Sequence, residues 1–519
     1  VSPRFVCVGC GAEVTAADLA AGSHPFACPR RAESPGVDHL LVRADTPAPP
    51  RSLPPLQPGH DSPFARYAPL LTAWAEARAA GMSEAELRER IHALDAAVAA
   101  VDGHGFRVSP FRSWPALARA AGVEAVWVKD ETGQVSGSHK ARHLMGVALH
   151  LDVAGVARAR DAGGPPQAVP RLAIASCGNA ALAAAVLAAA DGRALDVFIP
   201  PDADPAVVRS LGELGADVHV CERAPGQRGD PTYHAFRRAV DDGALPFCCQ
   251  GPDCGLTVEG GQTLAWEMAE VLHAHRFEIV EGHAGVAAPS SANADADALG
   301  GGPHAGRLDR VFIQVGGGAL GSAVRRGLED AVRFGWLPAM PALHYVQTEG
   351  CAPLPRAWDL VSRRAMELLG APCPPEAQDD TWPARAARLA RADAAEAVAH
   401  AMREARARRR SFMWPWEDTP HSLAHGILDD ETYDWAALVE GMLRTGGYPV
   451  VVDEPTVAHA ARFGGQQTDI PVTETGAAGL AGLLTLGQRG ALRPTDRVAV
   501  VFTGVIREPI LEAAGVRLA

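Results

Sequence analysis

Eight short apolar runs, separated by helix-length stretches, constrain this chain more than any other feature. They read VEAVWVKD, RLAIAS, ALDVFIP, ADVHVC, DRVFIQV, LHYVQTE, PVVVDE and RVAVVFTG, spread from about residue 123 to the carboxyl end. A half-exposed strand alternates apolar and polar residues, so runs that are apolar on both faces belong to parallel sheets covered by helices on either side. At 519 residues the chain exceeds what one small core can serve. The expected fold class is therefore α/β, with more than one packed lobe.

Composition narrows the function. Hydrophobic residues make up 47% and charged ones 21%, the balance of a globular protein. The 61 acidic against 48 basic side chains give a net charge of −13, which opposes general attraction to nucleic acid or to an anionic membrane. No stretch is apolar for long enough to span a bilayer, and VSPRFVCVGC lacks a charged segment leading into an apolar signal core, so a cytoplasmic location is expected. Ten cysteines in a chain this long suit a reducing compartment.

Three regions follow from local composition. Residues 1–45 form a head in which Cys7-x2-Cys10 and Cys28 resemble a zinc ribbon missing its fourth thiolate; His24 or His39 could complete the set, and a degenerate ribbon that binds no metal is the alternative. Residues 46–108 hold a Pro-rich linker, TPAPPRSLPPLQPG, and a helical segment opened by Ser83 and Glu86 as a capping box. Residues 109–519 form the body, with a smaller nested lobe at about 165–255 and a disordered surface insertion at about 282–309. The Arg-rich stretch from Arg403 to Arg410 reads as a solvated helix face.

Only two lysines occur, Lys129 and Lys140, so 46 of the 48 basic residues are arginine. Arginine stays protonated, whereas lysine can lose its proton and attack a carbonyl. Lys140 lies in SGSHKARH, after the strand VWVKD and at the start of an apolar helix, which puts its amine at the carboxyl edge of a sheet, where open α/β folds bind ligands. Lys129 lies within the strand and is expected to point away from the site or to pair with an acid such as Glu131.

Three more strand ends carry polar chemistry. SCGNAALAAAVLAAA begins at Ser176, where the first amides of an Ala-rich helix can hold a carboxylate. VGGGALGSA begins at Val315, and the amides of Gly316, Gly317, Gly318, Ala319 and Leu320 make a nest for a phosphate, without the spacing of a dinucleotide or nucleoside-triphosphate loop. Thr503 closes the last buried strand.

In order and spacing these four motifs resemble the pyridoxal-phosphate enzymes of fold type II, the tryptophan synthase β family, which includes threonine synthase, serine and threonine dehydratases and cysteine synthase. SPFRSWPALARAAG, VEGGQTLAWEMAE and TEGCAPLPRAW add to the likeness, which runs from about Ser109 to the carboxyl end. The resemblance implies two parallel-sheet lobes covered by helices, a homodimer, an amino-acid substrate and pyridoxal 5′-phosphate, with zinc in the head as a second candidate cofactor. It implies that Lys140 anchors the cofactor covalently and then takes the substrate α-proton. Ser138 and His139 would flank the phosphate, Asn179 would bond the phenolic oxygen and Gly316 to Leu320 would wrap the phosphate. Ser176, Cys177, Gly178 and Ala180 would bind the substrate carboxylate, and Thr503 would meet the pyridine nitrogen. A hydroxyl there, unlike a carboxylate, does not enforce ring protonation, which favours losing a β substituent over transamination.

The motifs are a mosaic. TEGCAPLPRAW and the terminal Thr503-Gly504 resemble threonine synthase, but its Lys-Asp-Arg is Lys140-Ala141-Arg142 here, and the triple glycine and SCGN are similar to a dehydratase. The expected activity is a lyase that abstracts the α-proton and eliminates a β substituent, of the ammonia-lyase or dehydratase kind. A threonine-synthase-like γ-elimination and hydration of a phosphorylated homoserine competes with it. A cofactor-binding protein without catalysis, docking a partner, is the alternative of another class, and a nucleotide-binding oxidoreductase is disfavoured because the glycine loop lacks an acidic partner.

Overall fold

The computed structural model describes residues 3–44, 56, 62–162, 169–224, 227, 229–281, 306–371 and 381–507. The expected insertion at 282–309 falls, up to residue 305, outside the described residues, as does most of the Pro-rich linker.

Among the described residues, three sheets organise the chain. In the head, β1 (Phe5–Cys7) pairs antiparallel with β2 (Glu13–Val14) and β3 (Leu41–Arg43). The body strands are β4 (Phe111–Ser113), β5 (Ala125–Asp130), β6 (Leu172–Ala175), β7 (Leu195–Ile199), β8 (Asp217–Val220), β9 (Leu245–Pro246), β10 (Arg310–Gln314), β11 (Ala342–Thr348), β12 (Val450–Val452) and β13 (Arg497–Phe502). The larger sheet runs β12-β11-β10-β13-β5-β4 and is parallel except for β4. The smaller runs β8-β7-β6-β9, all parallel. All eight apolar runs are strands of these two sheets.

Burial explains why. Val498 to Phe502 of β13 are fully buried between β10 and β5, in register as Phe312↔Val500 and Val500↔Val128. The helix Glu474–Gln488, with Leu480, Leu483 and Leu484 buried, packs on β10 and β13 and covers one face. The helices Thr257–Glu281, Ala319–Arg333 and Lys140–Ala162 pack on one another as a layer joining the two halves.

The smaller sheet does not close its core alone. Its apolar cluster takes in Phe5, Phe26 and Leu41 of the head and Leu87, Ile91 and Val98 of the helix Glu84–Asp102, so the buried unit is wider than the stretch 165–255. Ser83 caps that helix by accepting from the Glu86 amide at 3.1 Å. The Arg-rich stretch is only partly solvated: Arg403, Arg408 and Arg410 are exposed, whereas Arg406 bonds Glu440 at 2.8 Å and Arg409 reaches Glu431 and Asp38. Among the described residues no helix is long and apolar enough to cross a membrane.

Candidate active site

A cavity of about 360 Å³ opens at the carboxyl ends of β5, β6, β10 and β13, the end at which open parallel sheets bind ligands. His139, Lys140, Ser176 to Ala180, Gly316 to Leu320 and Thr503 all line it. Of the expected site residues in the body, only Ser138 does not. It is fully buried, and its hydroxyl accepts the Lys140 amide at 3.4 Å.

The turn before Lys140 is tightly shaped. Ser136 has φ 55°, unusual for a residue with a Cβ, and its amide is held by the Asp102 carboxylate at 3.1 and 3.2 Å. Gly137 follows with φ 67°; a Cβ there would stand 2.3 Å from Val505 Cγ1, and its carbonyl accepts from the Val505 amide at 2.9 Å. The turn is thus docked on the strand that delivers Thr503, and the helix Lys140–Ala162 starts at the lysine itself. The half-buried Lys140 pairs with no carboxylate among the described residues.

Lys129 differs in every respect. It is fully buried, donates to Glu267 Oε2 at 2.5 Å and to the Ser109 carbonyl at 2.7 Å, and its partner is therefore Glu267 rather than the expected Glu131. Glu131 is taken by Arg142, whose Nε lies 2.7 Å from Oε2, while Arg142 Nη1 meets Glu267 Oε1 at 2.6 Å. Desolvation pushes the Lys129 ammonium down from its ordinary value, offset in part by Glu267 and Glu131. Burial would raise Glu267, but Arg142 and Lys129 outweigh it and hold the carboxyl below its ordinary value.

Two histidines flank the Lys140 amine and both are held neutral. Burial, reinforced by the Lys140 charge, drives His139 well below its ordinary value and His143 down to about 3. His143 Nδ1 meets the Thr257 carbonyl at 2.8 Å, which makes that nitrogen the donor. Thr503 Oγ1 accepts the His139 amide at 3.1 Å and lies 2.8 Å from His139 Nδ1. If the ring nitrogen donates as well, the hydroxyl keeps its own proton for an acceptor in the cavity.

The anion-binding elements sit at helix starts. Gly318, φ 104°, caps the helix Ala319–Arg333, in a left-handed conformation that glycine adopts without steric cost. Asn179 opens the buried helix Asn179–Ala190, with Ser176 half-buried and Cys177 exposed just ahead of it. The first amides of both helices have no carbonyl within their own helix to bond, so both ends offer donors to an anion.

Sequence reading missed much of the wall, which includes Asp230, Tyr233, Cys249, Gln314, Asp429 and Tyr433. Asp429 lies over the glycine loop, where burial pushes its carboxyl up to about 6 against the opposing pull of Lys140 and the Gly317 amide. Nothing periodic marks these positions: Asp230 and Tyr233 lie between β8 and β9, Cys249 follows β9, Gln314 ends β10, and Asp429 and Tyr433 follow the Arg-rich helix. Cys7, Cys10 and Cys28 lie elsewhere, in the head, where His39 rather than His24 joins them.

An unpaired amine, a glycine cradle at a helix start and a second helix start therefore share one cleft of a parallel α/β protein. This donor set fits a phosphorylated aldehyde: the amine can bond its carbonyl, and the helix start behind the cradle offers amides to its phosphate. Residues 104–405, more than half the chain, match the family described as pyridoxal-phosphate dependent enzyme. The protein belongs to that family, of fold type II, and pyridoxal phosphate is its cofactor. Among solved structures it is similar to the processed form of threonine deaminase isoform 2 from Solanum lycopersicum, at 15% identity over 90% of this chain and 100% of that one, with a TM-score of 0.48. It is also similar to diaminopropionate ammonia lyase from Escherichia coli (16% identity, 82% and 89% covered, TM-score 0.48) and to serine racemase from Dictyostelium discoideum (14% identity, 81% and 99% covered, TM-score 0.48). No curated protein matches the chain.

Proposed function

We propose that the protein is a lyase that removes the α-proton of an amino acid and expels its β substituent, of the ammonia-lyase or dehydratase type. The observation that carries this reading is the unpaired Lys140 amine in one cavity with the Thr503 hydroxyl, held by His139, at the end of β13. When bound, pyridoxal phosphate supplies the electron sink for charge left on the α-carbon.

The chain's own residues do the rest. Lys140 Nζ holds the cofactor and then, once free, accepts the α-proton. Ser176 and the amides of Cys177, Gly178 and Ala180 bind the substrate carboxylate, while Asn179 orients the ring through its phenolic oxygen. The amides from Gly316 to Leu320 hold the phosphate. Thr503 meets the heterocyclic nitrogen as a neutral partner, and the neutral His139 beside it adds no positive charge there. The same reading carries a homodimer, which sedimentation velocity checks by a mass twice that of the 54.3 kDa chain.

The deciding experiment supplies serine, threonine and other amino acids with a β leaving group and measures keto acid and ammonia. Their release in equal amounts is expected. Phosphate release from a phosphorylated homoserine with formation of threonine, and no keto acid from any β-substituted substrate, would overturn it.

A further inference from the structure

We propose that Cys7, Cys10, Cys28 and His39 bind one zinc ion in a closed tetrahedral site, and that this ion fixes the loop between Cys28 and His39 against the wall of the active cleft. The three sulphurs and one ring nitrogen lie within 4.8 Å of one another. Cys10 Sγ and Cys28 Sγ are 3.5 Å apart, and so are Cys7 Sγ and His39 Nδ1. Zinc–sulphur bonds of about 2.3 Å in a tetrahedron put sulphurs about 3.8 Å apart, so the two close pairs fit zinc with shifts of a few tenths of an ångström, and the widest pair closes by about 1 Å at most.

The second layer is also in place. His39 Nε2 lies 3.0 Å from the Ser34 carbonyl, an acceptor only, so Nε2 carries the proton and Nδ1 turns its lone pair to the sulphurs. His24 is committed elsewhere, with Nδ1 2.9 Å from His150 Nε2. Cys7 ends β1 and Cys10 lies in the turn that links β1 to β2, where the Gly11 amide bonds the Cys7 carbonyl at 2.9 Å. Four protein ligands leave no open position, which marks a structural site, and binding releases the thiol protons to solvent.

The loop the ion would close carries two charged contacts. Arg31 Nη1 bonds Asp253 Oδ1 at 2.8 Å, and Asp253 Oδ2 accepts the Tyr233 hydroxyl at 2.7 Å. Asp38 accepts Trp435 Nε1 at 3.1 Å, close to Tyr433 in sequence, and faces Arg409 at 3.4 Å. Tyr233 and Tyr433 both line the cavity, with ring centroids 5.8 Å apart. One loop thus reaches Tyr233 through Asp253 and, through Trp435, the segment that carries Tyr433.

The test uses the full chain purified without chelator. Elemental analysis is expected to find about one zinc per chain, and X-ray absorption at the zinc edge about three sulphur neighbours and one nitrogen. His39→Ala should weaken zinc binding at least about tenfold, whereas His24→Ala should retain it. Chelation should speed amide exchange in 28–41, 248–256 and 429–436, with β10 and β13 unchanged. A metal-free protein, an oxygen-rich shell, or loss of zinc in His24→Ala but not in His39→Ala would overturn the site. Exchange that quickens only within the head would overturn the bracing. The absorption measurement needs no variant, so a misfolded substitution leaves the site testable.

Discussion

Lys129 and Lys140 stand on either side of one turn, and the chain treats them in opposite ways. Lys129 lies in a dry pocket with Arg142, Glu131 and Glu267, two cations against two carboxylates, all four fully buried. Lys140 opens on a cavity and has no carboxylate partner among the described residues. A buried ammonium without counter-charges is costly, so saturation at Lys129 is what stability demands. A nucleophilic amine must be free of such partners. The presence of a lysine is therefore not itself a sign of chemistry; its surroundings separate the two.

Exchanging the roles is the strongest way to break the comparison. Lys140→Ala should abolish covalent cofactor binding and cut turnover by about 10³–10⁴-fold, with stability changed by less than about 0.5 kcal/mol, as read by cofactor absorbance, steady-state kinetics and urea unfolding. Lys129→Met should do the reverse: removing one member of a buried charged group costs about 3–5 kcal/mol in urea unfolding, while the cofactor still attaches to the folded fraction. Loss of attachment in folded Lys129→Met protein would erase the distinction.

A third region sharpens it. Asp434 is as buried as Glu267 but lacks its two cations, and burial pushes its carboxyl up to about 7. The unfolded chain releases that proton above about 4, while the folded protein keeps it to about 7, so stability is greatest on the acid side and falls as pH rises through this window. A loss of about 2–3 kcal/mol between pH 5 and pH 8 is expected from this group, flattening above pH 7, and Asp434→Asn should remove it. Asp429, at about 6, adds a smaller loss of the same sign. Denaturant midpoints across pH check both.

The smallest effect belongs to the surface. Arg171 bonds Asp196 at 2.7 Å and also reaches Asp217, but its side chain is 45% exposed. Arg171→Ala should cost less than about 1 kcal/mol and less still in high salt, against the several expected at Lys129.

What the chain's letters disclose follows the same division. Seven of the eight runs were readable as strands because they are buried on both faces, leaving a nearly unbroken apolar pattern; β8, at the edge of the smaller sheet, is largely exposed and alternates Asp217-Val218-His219-Val220. β4 and β9 carry no such signal: each is three residues or fewer, and Pro246 ends the second. Lys140, Asn179, the glycine loop and Thr503 stand out because each lies at the strand end, turn or helix start that comes after an apolar run. Asp230, Tyr233, Asp429 and Tyr433 reach the same cavity from segments distant in the chain, as Glu267 reaches Lys129, and such tertiary meetings leave no local pattern. The fourth head ligand was open between His24 and His39 for the same reason; His150, far along the chain, engages His24.

Because the chain has two lysines, the central claim reduces to a choice of address. The protein should be loaded with pyridoxal phosphate, reduced with borohydride and digested, and the modified peptide located by mass spectrometry. A reduced phosphopyridoxyl group on Lys140, with Lys129 unmodified, is the predicted result; labelling at Lys129, or at neither lysine, would contradict the account.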